Sequence, residues 1–206
     1  MSTTAAPYGL RPVNLIGGQP YAGSTRLIKI ASAYAANLFF GQPVAISANG
    51  VVVAATVTTT VPATGVVGVF VGCAYTDPNL NIPVYKQYWP TGTVASDAVA
   101  YVVDDPDVVF QVQADDTVPQ TALGTNISLN APDPIGSTST GNSVVSADVA
   151  GLGVTATLPL RIVGFVESTT STVGDAFTDI LVKFNAPNVT SQVVAGGHSY
   201  LNPTGI

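Results

Sequence analysis

Residues 102–116 read VVDDPDVVFQVQADD, so Asp104, Asp105, Asp107, Asp115 and Asp116 crowd into fifteen positions. Carboxylates at this density can cage a divalent cation or work as an acid–base pair. A calcium loop needs D-x-[DN]-x-[DN]-G with a glutamate at the twelfth position. Pro106 and Val108 break that pattern, and the only glutamate of the chain is Glu167. Asp105-Pro106-Asp107 is turn chemistry instead, because Asp side chains cap nearby backbone and Pro pre-sets φ. The valines on either side are strand residues, so DDPD reads as the wet tip of a β-hairpin. Asp115 and Asp116 then fall at the far end of a strand of about six residues, roughly 17–20 Å away. That separation argues against one shared site unless another chain completes it, and no metal is expected.

The other reactive residues are few. His198 is the sole histidine, which leaves no second imidazole for zinc and no triad partner in a G-x-S-x-G setting. It reads as a tail residue. GLRPVNLIGGQP lacks the G-K of a phosphate loop, and GLGVTAT at 151–157 is followed by no strand–helix unit, so neither is a nucleotide motif. Cys73 is the single cysteine; it allows no internal disulfide and reads as a buried, inert thiol. Trp89 stands in YKQYWPTGT beside Tyr85 and Tyr88. Such a cluster can anchor an interface, stack on a sugar or seal the edge of a core.

The elements that position these residues are strands. Hydrophobic residues make up 47% of the 206 residues and charged residues only 9%, against roughly 25% charged in an average protein. Disordered chains show the reverse balance. Valine and threonine abound and fit a pleated surface. Strands are predicted near 27–31, 44–48, 51–55, 65–72, 82–86, 98–103, 108–113, 126–129, 143–147, 160–166 and 178–184. PVAISANGVVVAA is the clearest hairpin, with Asn49-Gly50 suited to a type I′ turn. SAYAAN, 32–37, offers one helical turn at most, and APDPIGSTSTGNS, 131–143, is a loop. GVVGVFVG and RIVGFVE echo each other, which strand composition alone can produce. The fold class is all-β, a jelly-roll-like sandwich or barrel of short strands.

Residues 1–25 differ. Pro7, Pro12 and Pro20 bar a helix, yet Tyr8, Leu10, Val13, Leu15, Ile16 and Tyr21 are apolar. They form either an extended arm, laid on its own domain or on a neighbour, or a first strand tucked into the fold. The chain is divided into an arm at 1–25, a β domain at 26–186 and a C-terminal tail at 187–206. The net charge is −6 and no Lys or Arg occurs between Lys86 and Arg161. A nucleic-acid surface needs clustered cations, so none is expected. No apolar run reaches the ~18 residues of a membrane span, and the N-terminus has no signal-peptide pattern. A soluble protein made in a cytoplasm is expected.

Three segments, AAPYGLRPVNLIGGQPYAGSTRLIKI, GCAYTDPNLNIPVYKQYWPTGT and AYVVDDPDVVFQVQADD, resemble in that order a family of head-associated structural proteins of tailed bacteriophages. These are cement or decoration proteins. The resemblance covers most of the chain and is weakest over 125–160 and after 185. It implies a place on the outside of an icosahedral head, with the major capsid protein and further copies of the chain as partners. It implies no catalytic residue, no cofactor, and a hairpin for DDPD. On that reading Tyr8, Leu10, Arg11, Val13, Leu15, Tyr21 and Trp89 are candidate contacts to the capsid or a neighbouring subunit. The alternative is a carbohydrate-binding β-sandwich of a phage fibre or surface adhesin, with Trp89, Tyr85 and Tyr88 as a stacking platform. A hydrolase or lyase ranks last, for want of a credible acid pair.

Overall fold

Alternation of apolar and polar side chains builds the strands. In DILVKF, Ile180, Val182 and Phe184 turn into the core while Leu181 and Lys183 do not, the period-two pattern of a sheet with one face covered. The computed structural model describes residues 4–55, 65–155, 157–185, 198 and 201. Its strands are β1 (Arg11–Leu15), β2 (Arg26–Lys29), β3 (Gln42–Ile46), β4 (Val52–Ala54), β5 (Gly68–Thr76) and β6 (Pro83–Lys86). They continue with β7 (Val99–Val103), β8 (Val108–Gln113), β9 (Asn126–Asn130), β10 (Ser146–Gly153), β11 (Leu160–Phe165) and β12 (Asp179–Phe184). The longest helical element described is a single 3-10 turn, Gln120–Ala122. The protein is all-β, as its composition predicts.

Two antiparallel sheets share the strands. The first runs β1-β8-β12-β11-β9-β10 and the second β2-β7-β5-β3-β4. β5 is long enough to serve two partners on one edge. Its first residues pair with β3 and its last, Cys73 to Thr76, with β6. The second sheet curls until its edges meet, at a parallel bridge between Ile30 and Val52. Its concave side holds a core of its own, with Ile28, Ile30, Val44, Val52, Phe70, Ala100 and Val102. Its convex side presents Ala45, Val69 and Val103 to the first sheet, which answers with Phe110, Val112, Ile127, Leu160, Ile162, Ile180 and Val182. The molecule is thus a sandwich in which one layer is itself a small barrel. Gly68 sits where β5 crosses closest to β7: a Cβ there would lie 2.1 Å from the Val103 carbonyl oxygen, so only glycine fits.

Three local expectations are corrected. The 42–54 hairpin forms, but Gly50 alone takes a left-handed φ, 72°. The Gly50 amide donates to Ser47 O and the Ser47 amide to Val51 O. That is a three-residue loop closed by a left-handed glycine, not a type I′ turn. Residues 32–37 form no helical turn, because Ala33 has φ 60°, which breaks helical geometry. The DDPD acids do not tip a hairpin. β7 belongs to the second sheet and β8 to the first, so residues 104–107 are the corner where the chain crosses between layers.

The segment read as an arm is also built into the fold. β1 pairs antiparallel with β8 at the edge of the first sheet, and Leu10 is 0% exposed. The Leu10 amide donates to Gly41 O at 2.8 Å, and the Gly9 amide to Val145 O at 3.2 Å. Gly9 makes this approach possible: its φ is 76°, and a Cβ would fall 2.7 Å from Gly41 O. The C-terminal tail, 187–206, lies outside the described residues apart from His198 and Leu201.

Candidate functional site

The acids at the inter-sheet corner are spent on structure. Asp105 accepts the Asp107 amide through Oδ1 at 2.8 Å, and its carbonyl accepts the Val108 amide at 3.2 Å. Asp104 pairs with Arg26 of β2 in the second sheet, and Asp107 with Lys183 of β12 in the first, the latter at 2.7 Å. The corner is therefore tied by one ion pair to each layer. Exposed pairs of this kind contribute about 0–1 kcal/mol each. Asp115 sits at the other end of β8 and accepts the Val149 amide at 2.9 Å. The two acid groups do not converge, and among the described residues no cluster of three or more His, Cys, Asp or Glu side chains forms a metal site.

His198 is not a loose tail residue. It is 0% exposed. Its amide donates to Asn185 O at 2.9 Å, it bridges Val66, and its ring meets Phe184 edge-on at 6.2 Å. Burial holds its pKa down at about 4, against the opposing pull of Asp104 and Asp105. Cys73 is buried as expected; burial pushes its thiol up to about 12, and Sγ donates to Tyr88 O at 3.4 Å. A thiol so protonated is a poor nucleophile.

The candidate contact residues separate by exposure. Leu10 faces its own core, and Leu15 and Tyr21 pack against it. Tyr8 is half-buried, with its hydroxyl donating to Asp179 Oδ1 at 2.9 Å; burial first, then Asp179, raises its pKa. Arg11 and Val13 remain exposed. Trp89 is 0% exposed. It pairs with Leu38 through two backbone hydrogen bonds and meets Tyr75 edge-on at 5.2 Å, plugging the end of the small barrel. Leu10 and Trp89 therefore offer a partner nothing in this fold, because the apolar area that would drive docking is already used inside. Tyr88 stacks on Phe39 at 5.8 Å and Tyr85 points out at 75% exposure, so the three rings do not form one platform.

The exposed apolar surface lies beside them, where sequence reasoning did not look. Leu80, Ile82 and Tyr85 on the β5–β6 hairpin are all largely exposed, and so is Val94. The hairpin turn is closed by its own hydrogen bonds. Asp77 Oδ1 accepts the amides of Asn79 and Leu80, the Asp77 amide donates to Ile82 O, and Asn81 takes a left-handed φ of 54°. Val94 rims an adjacent cleft of about 470 Å³ lined also by Tyr75, Asn79, Lys86 and Pro90. Among the described residues β6 pairs only with β5. A signal was present in the sequence: PNLNIP puts two large apolar residues into a turn otherwise made of Asn and Pro.

No described helix is long and apolar enough to cross a membrane. No family model, no curated protein and no solved structure matches the chain.

Proposed function

We propose that the chain is a structural virion protein, a cement or decoration protein on the outer surface of a tailed-phage head. The observation that carries the reading is the preformed apolar hairpin, Leu80, Ile82 and Tyr85 on a turn locked by Asp77. The sequence resemblance supplies the family. An exposed apolar group on a turn closed by its own hydrogen bonds favours docking, since little ordering entropy opposes it. Exposed apolar groups gathered on one surface turn mark an interaction site, and interfaces are poor in Lys and Glu, of which this chain has three and one. The partner on this reading is the major capsid protein, with further copies of the chain around it. A protein that binds the assembled lattice and not its free subunits shifts the equilibrium toward the lattice, and many modest contacts sum through multivalency. No cofactor and no catalytic step enter. The carbohydrate-binding alternative loses support with the burial of Trp89, its central stacking ring.

The test is co-sedimentation of the chain with empty expanded phage shells. Wild-type protein is expected to pellet with the shells and to raise the temperature at which they come apart. Leu80→Asp with Tyr85→Asp should weaken pelleting at least about tenfold, the equivalent of 1.4 kcal/mol, with an unchanged far-UV spectrum. Wild-type protein that stays in the supernatant would remove the proposal.

A further inference from the structure

A second concavity lies at the base of that hairpin, where Gln87 follows β6, between the N-terminal segment and the convex side of the small barrel. It is a cleft of about 640 Å³ lined by Arg11, Tyr21, Phe40, Val71, Gln87, Asn142 and neighbours. Its size is that of a ligand pocket. Three features specify an occupant. Phe40 and Val71, both part-exposed, give it an apolar wall. Arg11 brings the positive charge. Its guanidinium carbon lies 4.2 Å over the Tyr8 ring, and Tyr8 is itself anchored on Asp179. Arg26 and Lys183 are each paired with a corner acid; among the described residues Arg11, like Lys29, Lys86 and Arg161, forms no ion pair, and of these four it is the one that lines this cleft. In a chain with twelve acids and six Lys and Arg, a cation held in place by a ring and left unneutralised is set to receive an anion. Finally, Gln87 Nε2 donates to Asn142 Oδ1 at 2.6 Å. Among the described residues Gln87 Oε1 and Asn142 Nδ2 have no other partner, which leaves an acceptor and a donor to match the N–H and C=O of one peptide unit.

We infer that this cleft docks a short apolar stretch of a partner protein that carries one acidic side chain, with the carboxylate on Arg11. The planar guanidinium can take it with two parallel hydrogen bonds. The neighbouring apolar side chains of the segment lie on Phe40 and Val71, and its backbone meets the Gln87–Asn142 amide pair. The inference goes beyond the capsid reading and does not depend on it.

The probes are acetyl-Val-Asp-Val-amide and its asparagine counterpart, titrated separately into the full chain and followed by amide NMR shifts. The aspartate peptide is expected to shift Gly23, Thr25 and the side-chain amides of Gln87 and Asn142. The asparagine peptide should bind at least about tenfold more weakly, because its neutral amide has one acceptor oxygen and cannot take both guanidinium hydrogen bonds. Arg11→Gln should abolish the preference and Arg11→Lys keep part of it, and added salt should reduce it. Thr25→Trp, placed on the exposed rim, should block both peptides and serves as the control if Arg11→Gln does not fold. Equal binding of the two peptides, no shifts at these residues, or an Arg11→Gln protein that still prefers aspartate would overturn the inference.

Discussion

At the scale of single residues, burial decides what each reactive group can do. Trp89 fills the barrel end against Tyr75, but its indole N–H meets no acceptor among the described residues. A buried donor without a partner costs about 1–3 kcal/mol. The site therefore values the volume of the ring and not its polar atom. Trp89→Ala is expected to lower stability by about 3–5 kcal/mol, the cost of removing a large aromatic side chain from a core. Trp89→Phe should cost clearly less, because it gives up the unsatisfied N–H along with the lost volume. Urea midpoints of the two variants check this. Equal losses would mean that the indole has an acceptor and that the ring is held for its nitrogen.

At the scale of elements, the N-terminal strand is the test. β1 covers one edge of the first sheet, and Leu10 alone, cut to Ala in a core, would cost about 2–5 kcal/mol. Deleting residues 2–16 also bares the β8 edge and removes the Tyr8–Asp179 bond. The truncated chain should lose cooperative thermal unfolding, or melt far below the full chain. An unchanged melting curve would show that the segment is an arm after all. The sequence made this strand hard to see. Pro12 argues against a strand, yet an edge position tolerates a missing N–H, and the register slips between Pro12 and Asn14, which blurs the alternation. By contrast, the 42–54 hairpin was legible because its pattern is local: alternation, a turn glycine, alternation again. The corner at 104–107 was half legible. Its Asp-Pro-Asp turn chemistry could be read, but strand–turn–strand looks the same whether the second strand returns beside the first or crosses to another layer. Only the pairing of β8 with β1 and β12, both distant in sequence, decides that. The exposed Leu80 and Ile82 were missed for a related reason, since a strand pattern does not say which apolar residues find cover.

At the scale of the whole molecule, His198 joins parts that are far apart in the chain. It bonds to Asn185 after β12 of the first sheet and bridges Val66 ahead of β5 of the second, so this residue spans the seam between layers. Its position near the C-terminus suggested a tail; nothing local in AGGHSYLNP announces burial. The charged groups facing it are the corner acids Asp104 and Asp105, and Arg26 already neutralises Asp104. Burial prevails, and the folded pKa is about 4 against about 6.5 for a free imidazole. A folded-state pKa depressed in this way means that the unfolded chain binds the proton first. The contribution is thus complete above pH about 6.5, declines as the pH falls from there toward 4, and is gone below. At 1.36 kcal/mol per unit, its size is about 3 kcal/mol at most. Melting temperature should fall between pH 6.5 and 5, before most carboxylates titrate. His198→Gln should start lower at neutral pH and lack that slope. A wild-type protein whose stability is flat from pH 7 to 5 would show that the imidazole is not buried across the seam, and the contact there would have to be redrawn.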